Sequence, residues 1–279
     1  MRRVGRRRSA LRLRGGVSPP FRAALVTGAG RRLGRAMALE LAARGTAVAV
    51  HYNTSRDEAE AVAAEARGLG VAAVALGADL LDWDATDGLA PAAAAALGAP
   101  LDVLVNNASI FEHDTIATAT RESWRRHLGS NLRAPFQLIQ AFAAQAPRAG
   151  RDAAGEPVAR AVVVNMIDQR VLKLTPEFAT YTIAKSALWA LTRTAAQGLA
   201  PDVRVNAIGP GPTLRAERQT PAHFAHQRAA TVLGRGASEA EICAALRFLL
   251  DAPGVTGQLV CVDGGQHLGW RTADVLGVE

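Results

Sequence analysis

Residues 23–34, AALVTGAGRRLG, decide the fold of this chain. The apolar residues at its start predict a buried strand, and the glycines that follow predict a turn that opens a helix. Gly28 permits the tight turn, and Gly34 permits close approach of the helix to a ligand. The free amides and the positive dipole end of such a helix attract a phosphate. A glycine-rich turn alone is weak evidence, but this one lies in a first βαβ unit.

The rest of the chain repeats the alternation of apolar runs and amphipathic segments. Strands are predicted at residues 23–27, 46–52, 71–79, 101–106, 161–164, 203–208 and 259–262. Helices are predicted up to about residue 43, at 56–68, 83–97, 118–146 and 239–250, and around residues 181–185. Residues 150–157 are interpreted as a loop, and residues 210–235 as irregular with a short helix. This order predicts an α/β fold, a Rossmann-like doubly wound parallel sheet of about seven strands with helices on both faces. Its ligand site should lie at the carboxyl ends of the strands.

The basic charge is concentrated at the start of the chain. The formal net charge is +7, and residues 2–22 hold eight arginines and no acidic residue, so the remainder is close to neutral. Residues 1–20 lack apolar periodicity and carry Gly15-Gly16 and Pro19-Pro20, which predicts a disordered tail before a single domain at 21–279. An Arg-rich leader is compatible with nucleic-acid binding or organelle targeting. It is also compatible with an upstream start codon or a solvated extension, the interpretation we favour.

Several other classes of protein are disfavoured by the composition. No apolar run reaches the length of about 18 residues that a membrane span needs. Cys243 and Cys261 form neither a disulfide framework nor a metal-binding spacing, which is typical of a reducing, cytoplasmic compartment. His223 and His226 lack a third ligand nearby, so we interpret them as solvated and predict no metal site.

Residues 161–191 carry the chemistry. Asp168 follows a short buried strand, and Tyr181 and Lys185 stand four residues apart on one face of the next helix. The attraction between an ammonium and an ionised tyrosine oxygen about 4 Å away is roughly 4 kcal/mol at an effective dielectric of about 20. This energy is enough to move a tyrosine pKa from about 10 toward 7. Taken alone, the pair is more often a surface tyrosine beside a lysine whose head reaches solvent.

The end of the second strand indicates which cofactor would bind. NAD-binding sheets usually carry a carboxylate there, which holds the ribose hydroxyls. Here no carboxylate occurs before Asp57. A carboxylate would repel a 2′-phosphate, whereas hydroxyls, an amide and an arginine would bind it. The sequence therefore predicts NADPH, held at this end by Arg31, His51, Tyr52, Asn53 and Ser55.

The motifs taken together resemble the short-chain dehydrogenase/reductase family from about residue 23 to the C-terminus. They are Thr27-Gly28 with Gly34, Asn106-Asn107-Ala108, Asn131, Tyr181-x-x-x-Lys185 and Pro210-Gly211. The chain departs from the family at Arg32, where glycine is usual, and at Asp168, where serine is usual thirteen residues before the tyrosine. With HYN-x-S, NNAS-x-F, NMID and the ending DGGQHLGW, these departures are similar to the pteridine reductases and the bacterial dihydromonapterin reductases.

The resemblance implies roles for individual residues. Arg32 would reach the pyrophosphate and the pterin, Phe111 would stack on the pterin opposite the nicotinamide, and Asn131 would hold a water that links Lys185 to solvent. The alternative interpretation of Phe111 is a core residue at a strand end that contacts no pterin. A variable substrate lid is implied around residues 212–237. The other implied cofactor contacts are Gly28, Leu33, Gly34, Asp79, Leu80, Asn107, Ala108, Ser109, Met166, Pro210, Gly211 and Thr213, of which Ser109 also contacts substrate.

The implied reaction is hydride transfer from NADPH to a C=N bond of a dihydropterin of the dihydromonapterin or dihydrobiopterin type, with dihydrofolate a possible further substrate. Tyr181 and Asp168 would supply the proton, and Lys185 would bind the nicotinamide ribose and lower the tyrosine pKa. Burial of Asp168 would raise its pKa and keep some acid form near pH 7.

Two other functions stay open at this stage. One is NADPH-dependent reduction of a different carbonyl or imine; the other is a non-catalytic NADP-binding protein, or one whose tail binds nucleic acid. The intact Asn131, Tyr181 and Lys185 argue against a loss of catalysis, and the near-neutral remainder argues against nucleic acid. The resemblance also implies a homotetramer. The predicted helices also carry more apolar positions than one face of the sheet can bury, which favours assembly. These positions are Trp124, Leu128, Leu132, Leu188 and Leu191.

Overall fold

A computed structural model describes residues 21–217, 219–272 and 275. The predicted tail, residues 1–20, lies outside the described residues. The strands are β1 (Ala23–Val26), β2 (Ala47–Tyr52), β3 (Ala73–Gly77), β4 (Val103–Asn106), β5 (Gly150–Arg151), β6 (Pro157–Val158), β7 (Ala161–Met166), β8 (Val203–Pro210) and β9 (Leu259–Val262). The α-helices are α1 (Arg32–Ala43), α2 (Arg56–Gly68), α3 (Trp83–Leu97), α4 (Arg121–Leu128), α5 (Ala134–Gln145), α6 (Ala179–Gly198), α7 (Pro221–Ala229) and α8 (Glu239–Asp251).

Seven strands form one sheet in the order β3-β2-β1-β4-β7-β8-β9, and each neighbouring pair is parallel. The predicted doubly wound sheet is confirmed. The strand order reverses between β1 and β4, so a crevice opens where their carboxyl ends diverge.

Helices cover both faces of the sheet. One core cluster joins the sheet to α1, α2 and α8, with Met37, Leu41 and Leu246 fully buried. The other joins it to α3, α5 and α6 and includes Phe142. The central strands β4 and β7 are buried at every position. Parallel strands covered on both faces require continuous apolar runs, which is why the sequence reveals these strands clearly.

The region predicted as one helix at residues 118–146 is divided in the structure. A π-helical turn at Gly129–Arg133 separates α4 from α5, and the amide of Ala134 bonds the carbonyl of Gly129. Pro135 has no N–H to donate to the carbonyl of Asn131, so a regular α-helical ladder is interrupted at this point. The interruption lies at the residue predicted to hold a water.

Residues 150–157, interpreted from the sequence as a loop, contain a small antiparallel pair, β5 with β6. Asp152 Oδ1 accepts hydrogen bonds from the amides of Ala154 and Glu156, and Gly155 adopts a positive φ of 83°. The polar turn is therefore held by local hydrogen bonds that leave no apolar pattern in the sequence. No helix in the described part of the chain is long and apolar enough to cross a membrane.

Candidate active site

The glycine turn is joined to the end of β4 by hydrogen bonds. Thr27 Oγ1 accepts from the amides of Asn107 at 2.9 Å and Ala108 at 3.0 Å, and Asn107 Nδ2 donates to the carbonyls of Thr27 and Gly28. Gly28 has a φ of 60°. A Cβ at Gly34 would overlap the carbonyl oxygen of Gly28 and the side chain of Asn107. The residues of the predicted turn therefore line one side of the crevice at the sheet reversal.

The N-terminus of α1 opens onto this turn. Its first residues have no side-chain cap and no acidic residue, so the amides and the dipole end are free of protein anions. Arg32 has a φ of 54°, a left-handed conformation that explains why glycine is usual at this position. Its guanidinium donates to the carbonyls of Arg215 at 2.9 Å and Leu214 at 3.0 Å. Arg32 thus bridges the turn and the predicted lid.

The ring of His51, which the sequence predicted to contact the cofactor, is buried beneath the glycine turn. The side chain is 1% exposed, Nδ1 accepts from the amide of Gly28 at 3.0 Å, and Nε2 lies 3.0 Å from the carbonyl of Ala78. The ring is a support beneath the turn because both nitrogens are occupied. Burial lowers the pKa of His51 and keeps it neutral.

The surface after β2 carries no carboxylate before Asp57. Asn53 and Thr54 are exposed and Ser55 is partly exposed, while Tyr52 packs against Gly77. Arg31 Nη1 lies 3.9 Å from Glu58 in an exposed contact of little strength. At the end of β3, Asp79 accepts from the amide of Leu81, and Leu80 is buried.

The loop after β4 is held by Asn131. Its Oδ1 accepts from the amide of Ile110 at 2.9 Å, and its Nδ2 donates to the carbonyl of Ile110 at 2.8 Å. Both polar atoms of the side chain thus bond the main chain of Ile110. The neighbouring Phe111 is placed by this clamp.

The catalytic candidates converge at the end of β7. Tyr181 Oη donates to Asp168 Oδ2 at 3.0 Å, and Asp168 Oδ1 accepts from the amide of Arg170 at 2.8 Å. Lys185 Nζ donates to the carbonyl of Met166 at 2.7 Å. Tyr181 is 5% exposed and Lys185 is 2% exposed, and Asp168 is partly exposed, so the tyrosine and the lysine are poorly solvated.

The expectation that the pKa of Tyr181 is lowered by Lys185 is wrong. Burial and the facing carboxylate of Asp168 raise the pKa of Tyr181 well above its usual value, while Ser109 opposes the change through a hydrogen bond. The ammonium donates its hydrogen bond to the carbonyl of Met166 and lies 5.7 Å from the centroid of the Tyr181 ring. Burial lowers the pKa of Lys185 to about 8. Burial also raises the pKa of Asp168, as the sequence predicted.

The end of β8 lines the side of the crevice where the nicotinamide is predicted to bind. Thr213 is buried, and its amide bonds the carbonyl of Gly211 at 2.8 Å. A Cβ at Gly211 would overlap Asp263, which explains the glycine after Pro210. The two ends of the lid region are tied by Arg228, a residue that sequence reasoning missed. Its guanidinium donates to the carbonyls of Pro212, Gly236 and Ala237.

An aromatic wall stands beside the phenol. Phe111 stacks on Phe178 with a centroid distance of 4.4 Å, and it lies at the same centroid distance from Tyr181. Arg170 lies over Phe178 at 5.2 Å. Phe178 has a φ of 59°, and no sequence signal marks a phenylalanine in that conformation. Sequence reasoning did not single out His127 or Thr180, which contact each other beside this wall. His127 lies four residues before Asn131 and Thr180 lies next to Tyr181, so their positions beside motif residues were a usable signal.

No group of acidic, histidine or cysteine side chains in the described ranges could hold a metal ion. His223 and His226 are exposed on α7.

Three comparisons with known proteins agree with this geometry. Residues 28–267 match the family described as enoyl-(acyl carrier protein) reductase. The chain is 31% identical over 252 residues to the 3-oxoacyl-[acyl-carrier-protein] reductase FabG of Staphylococcus aureus, covering 88% of this chain and 98% of that protein.

Solved structures include FolM alternative dihydrofolate reductase 1 from Brucella canis, complexed with NADP. It shares 41% identity and a TM-score of 0.84, covering 91% of this chain and 97% of the other. The corresponding Brucella suis protein, also in complex with NADP, has the same identity and TM-score and is covered to 98%.

Proposed function

The chain belongs to the short-chain dehydrogenase/reductase family, and from this premise we propose that it reduces a dihydropterin with NADPH. The observation that carries the proposal is the 3.0 Å hydrogen bond from Tyr181 to Asp168. It puts a carboxyl group where ordinary members of the family would carry a serine hydroxyl. A carboxyl group suits a ring with protonatable nitrogens and an amino group, whereas a ketone oxygen prefers a neutral donor. The likeness to the two Brucella alternative dihydrofolate reductases supports the same substrate class.

The described residues fit NADPH. The absence of a side chain at Gly34 leaves room beside the glycine turn for a pyrophosphate. The uncapped N-terminus of α1 offers it free amide donors. Asn53, Ser55 and Arg31 offer an amide, a hydroxyl and a guanidinium to a 2′-phosphate, with no carboxylate to repel it. Asp79 and Leu80 would face the adenine, and Met166, Pro210, Gly211 and Thr213 would face the nicotinamide.

In the reaction, bound NADPH supplies the hydride. Tyr181 and Asp168 hold the proton that reaches the substrate nitrogen, so that one C–H and one N–H bond form as the C=N bond is reduced. The raised pKa of Tyr181 keeps its hydrogen on Oη at neutral pH. The raised pKa of Asp168 makes its carboxyl the group that can replace that hydrogen. Lys185 would hold the nicotinamide ribose.

The substrate ring would lie against Phe111. The stack on Phe178 and the clamp from Asn131 to Ile110 fix the position of this ring. A flat heteroaromatic substrate is well held between an aromatic face and the nicotinamide. Arg32, 3.0 Å or less from two lid carbonyls, would contact both the cofactor phosphate and the substrate.

Reduction of a ketone is the second candidate. The 31% identity to a 3-oxoacyl reductase favours it, and the family match carries the name of another acyl-carrier substrate. Asp168 argues against it, because an ionised carboxylate would repel a developing oxyanion.

One assay separates the two functions. NADPH oxidation by the purified full chain is followed with dihydromonapterin, dihydrobiopterin, dihydrofolate and an acetoacetyl thioester side by side. We expect kcat/KM for at least one dihydropterin to exceed that for the thioester by at least about 100-fold. The reverse order would replace the proposed function by the second candidate.

A further inference from the structure

A second polar cluster lies beside Tyr181. It consists of Asp114, His127 and Thr180, all of them buried. His127 Nδ1 lies 2.7 Å from Thr180 Oγ1, and Thr180 Oγ1 donates to Asp114 Oδ2. The amide of Glu112 donates to His127 Nε2 at 3.1 Å. None of these residues belongs to the cofactor or proton machinery described above.

The hydrogens in this cluster can be placed without ambiguity. Nε2 of His127 must be unprotonated, because it accepts the amide hydrogen of Glu112. Nδ1 therefore carries the ring hydrogen and donates to Thr180, whose own hydrogen goes to Asp114. The hydrogen bonds from His127 to Thr180 and from Thr180 to Asp114 therefore run in one direction. This chain of bonds is complete only when His127 is neutral and Asp114 is ionised.

The cluster joins two parts of the active site that are 66 residues apart in the chain. Glu112 and Asp114 follow Phe111 in the loop after β4, whereas Thr180 directly precedes Tyr181. Phe178 at the start of α6 gives no side-chain cap. Asp114 takes that role from outside the helix, since its Oδ1 accepts from the amide of Thr180 at 3.1 Å and its carbonyl accepts from the amide of Ala179 at 3.2 Å.

His127 is the element that locks the loop to the helix. It lies on the last turn of α4, and its ring meets the Tyr181 ring edge-on at a centroid distance of 6.0 Å. It therefore contacts the loop through Glu112, the start of α6 through Thr180, and the phenol through its ring. A shift of any one of these parts would break a bond to another.

We propose that Asp114, Thr180 and His127 are positioning residues that fix the Phe111 wall relative to the Tyr181 phenol. The choice of a dihydropterin as test substrate rests on the proposed function; the positioning role itself does not. A substrate that lies against Phe111 must be held there while Tyr181 reaches its reacting atom, so the spacing between the two side chains limits productive binding.

The hydrogen bonds of this cluster should break at acidic pH. Protonation of His127 would place a second N–H against the amide of Glu112. Burial lowers the pKa of His127, while the charges of Asp114 and Glu112 oppose this change. The other titratable and charged groups facing the ring are Arg126, on its own helix and paired with Glu112, and Tyr181 from α6. Hydrogen bonds from Thr180 and Ser123 outweigh burial and lower the pKa of Asp114, so it stays ionised.

The test compares Thr180→Val, which removes the hydroxyl while keeping the shape, with Thr180→Ser, which keeps the hydroxyl. Thr194→Val, on the exposed face of the same helix, is the matched control. We expect Thr180→Val to lose about 10- to 100-fold in kcat/KM for the dihydropterin, while the Kd for NADPH changes less than twofold. The serine variant should recover most of the loss, and the control should match the parent.

A folded Thr180→Val variant with parental kinetics would overturn the proposal, and so would an equal loss of NADPH affinity. If Thr180→Val does not fold, His127→Asn is the second variant. Its amide can still donate to Thr180, but it no longer accepts from Glu112. We expect this variant also to lose kcat/KM for the dihydropterin while its Kd for NADPH stays close to that of the parent. Failure of both variants to fold would assign the network to stability alone and overturn the proposal.

Hydrogen exchange keeps this test separate from the proposed function. We expect Thr180→Val to speed amide exchange at residues 110–114 and at the start of α6, and nowhere else in the described chain. If the parent reduces no dihydropterin, the proposed function fails, and the network is then judged from this exchange pattern and from thioester reduction. Unchanged exchange at residues 110–114 would contradict the positioning role.

Discussion

Tyr181 and Asp168 are thirteen residues apart in the chain, yet the phenol of one donates to the carboxyl of the other across 3.0 Å. The pair brings together the end of β7 and the first turn of α6. Burial raises the pKa of both groups. The proton is therefore retained between the two oxygens of this hydrogen bond, as the proposed reaction requires.

Asp168→Asn should abolish most dihydropterin reduction. Asparagine keeps the shape and can still accept from Tyr181, but it cannot give up a proton as an acid. We expect kcat to fall by roughly 10²- to 10⁴-fold, with the Kd for NADPH unchanged. Steady-state kinetics and fluorescence titration measure the two quantities. Asp168→Ser, which restores the usual family residue, should favour ketones. Parental turnover by the asparagine variant would place the proton source elsewhere.

NADPH should be preferred over NADH, because no carboxylate precedes Asp57 at the end of β2. Asn53→Asp should reduce this preference by at least about tenfold through repulsion of the 2′-phosphate. Asn53→Ala serves as the uncharged control and should change the preference much less. The ratio of kcat/KM for the two cofactors is the measurement, and equal values in the parent would refute the prediction.

His51 should make the stability of the protein depend on pH. Burial lowers its pKa in the folded state from 6.5, so the unfolded chain takes up a proton more readily. Stability is then complete above about pH 6.5 and declines as the pH falls toward the lowered value, by at most about 1.4 kcal/mol per pH unit for one histidine.

Urea unfolding at pH 7.5 and pH 5.5 tests this prediction. His51→Asn should lower stability at both pH values, because bonds under the glycine turn are lost, but the difference between the two pH values should shrink. The exposed His223→Asn is the control and should keep the parental difference. A parental difference in His51→Asn would show that this residue does not cause the pH dependence.

The sheet could be predicted from the sequence because its central strands are buried on both faces and appear as apolar runs. The crevice followed from the position of Gly28 and Gly34 in the first unit. The β5–β6 pair could not be predicted, since polar turn bonds leave no periodic pattern.

The positions of the three catalytic candidates could be predicted from the sequence better than their electrostatics. Tyr181, Lys185 and Asp168 do converge, but Lys185 points at the carbonyl of Met166, an orientation that spacing alone cannot show. The left-handed conformation of Phe178 and the pairing of Asp114 with Thr180, 66 residues away, depend on tertiary contacts. Such contacts have no local signature.

Assembly into a homotetramer remains a prediction. Trp83 is 62% exposed and Phe136 is 46% exposed, and both line an apolar cavity of about 700 Å³ together with Leu128, Leu132 and Leu191. Leu188, counted from the sequence among the surplus apolar positions, is instead buried in the fold. Light scattering at micromolar concentration should report four subunits, and Phe136→Glu should reduce that number. A monomeric parent would contradict the prediction.

Residues 1–20 should be dispensable. Their composition offers nothing to bury, so a chain beginning at residue 21 should keep the Tm within about 2 °C and keep its kcat. Thermal unfolding and steady-state kinetics of the shortened chain measure both. A large loss of either would show that the tail packs on the domain.

The contact between Arg32 and the carbonyls of Leu214 and Arg215 has a consequence for the kinetic order of the reaction. The donors that hold the lid are the same donors that a pyrophosphate at the N-terminus of α1 would attract. Arrival of the dinucleotide should therefore release the lid, so that the second reactant enters only after the first. We expect a compulsory sequence in which the nucleotide associates first and leaves last, and product inhibition patterns would reveal it.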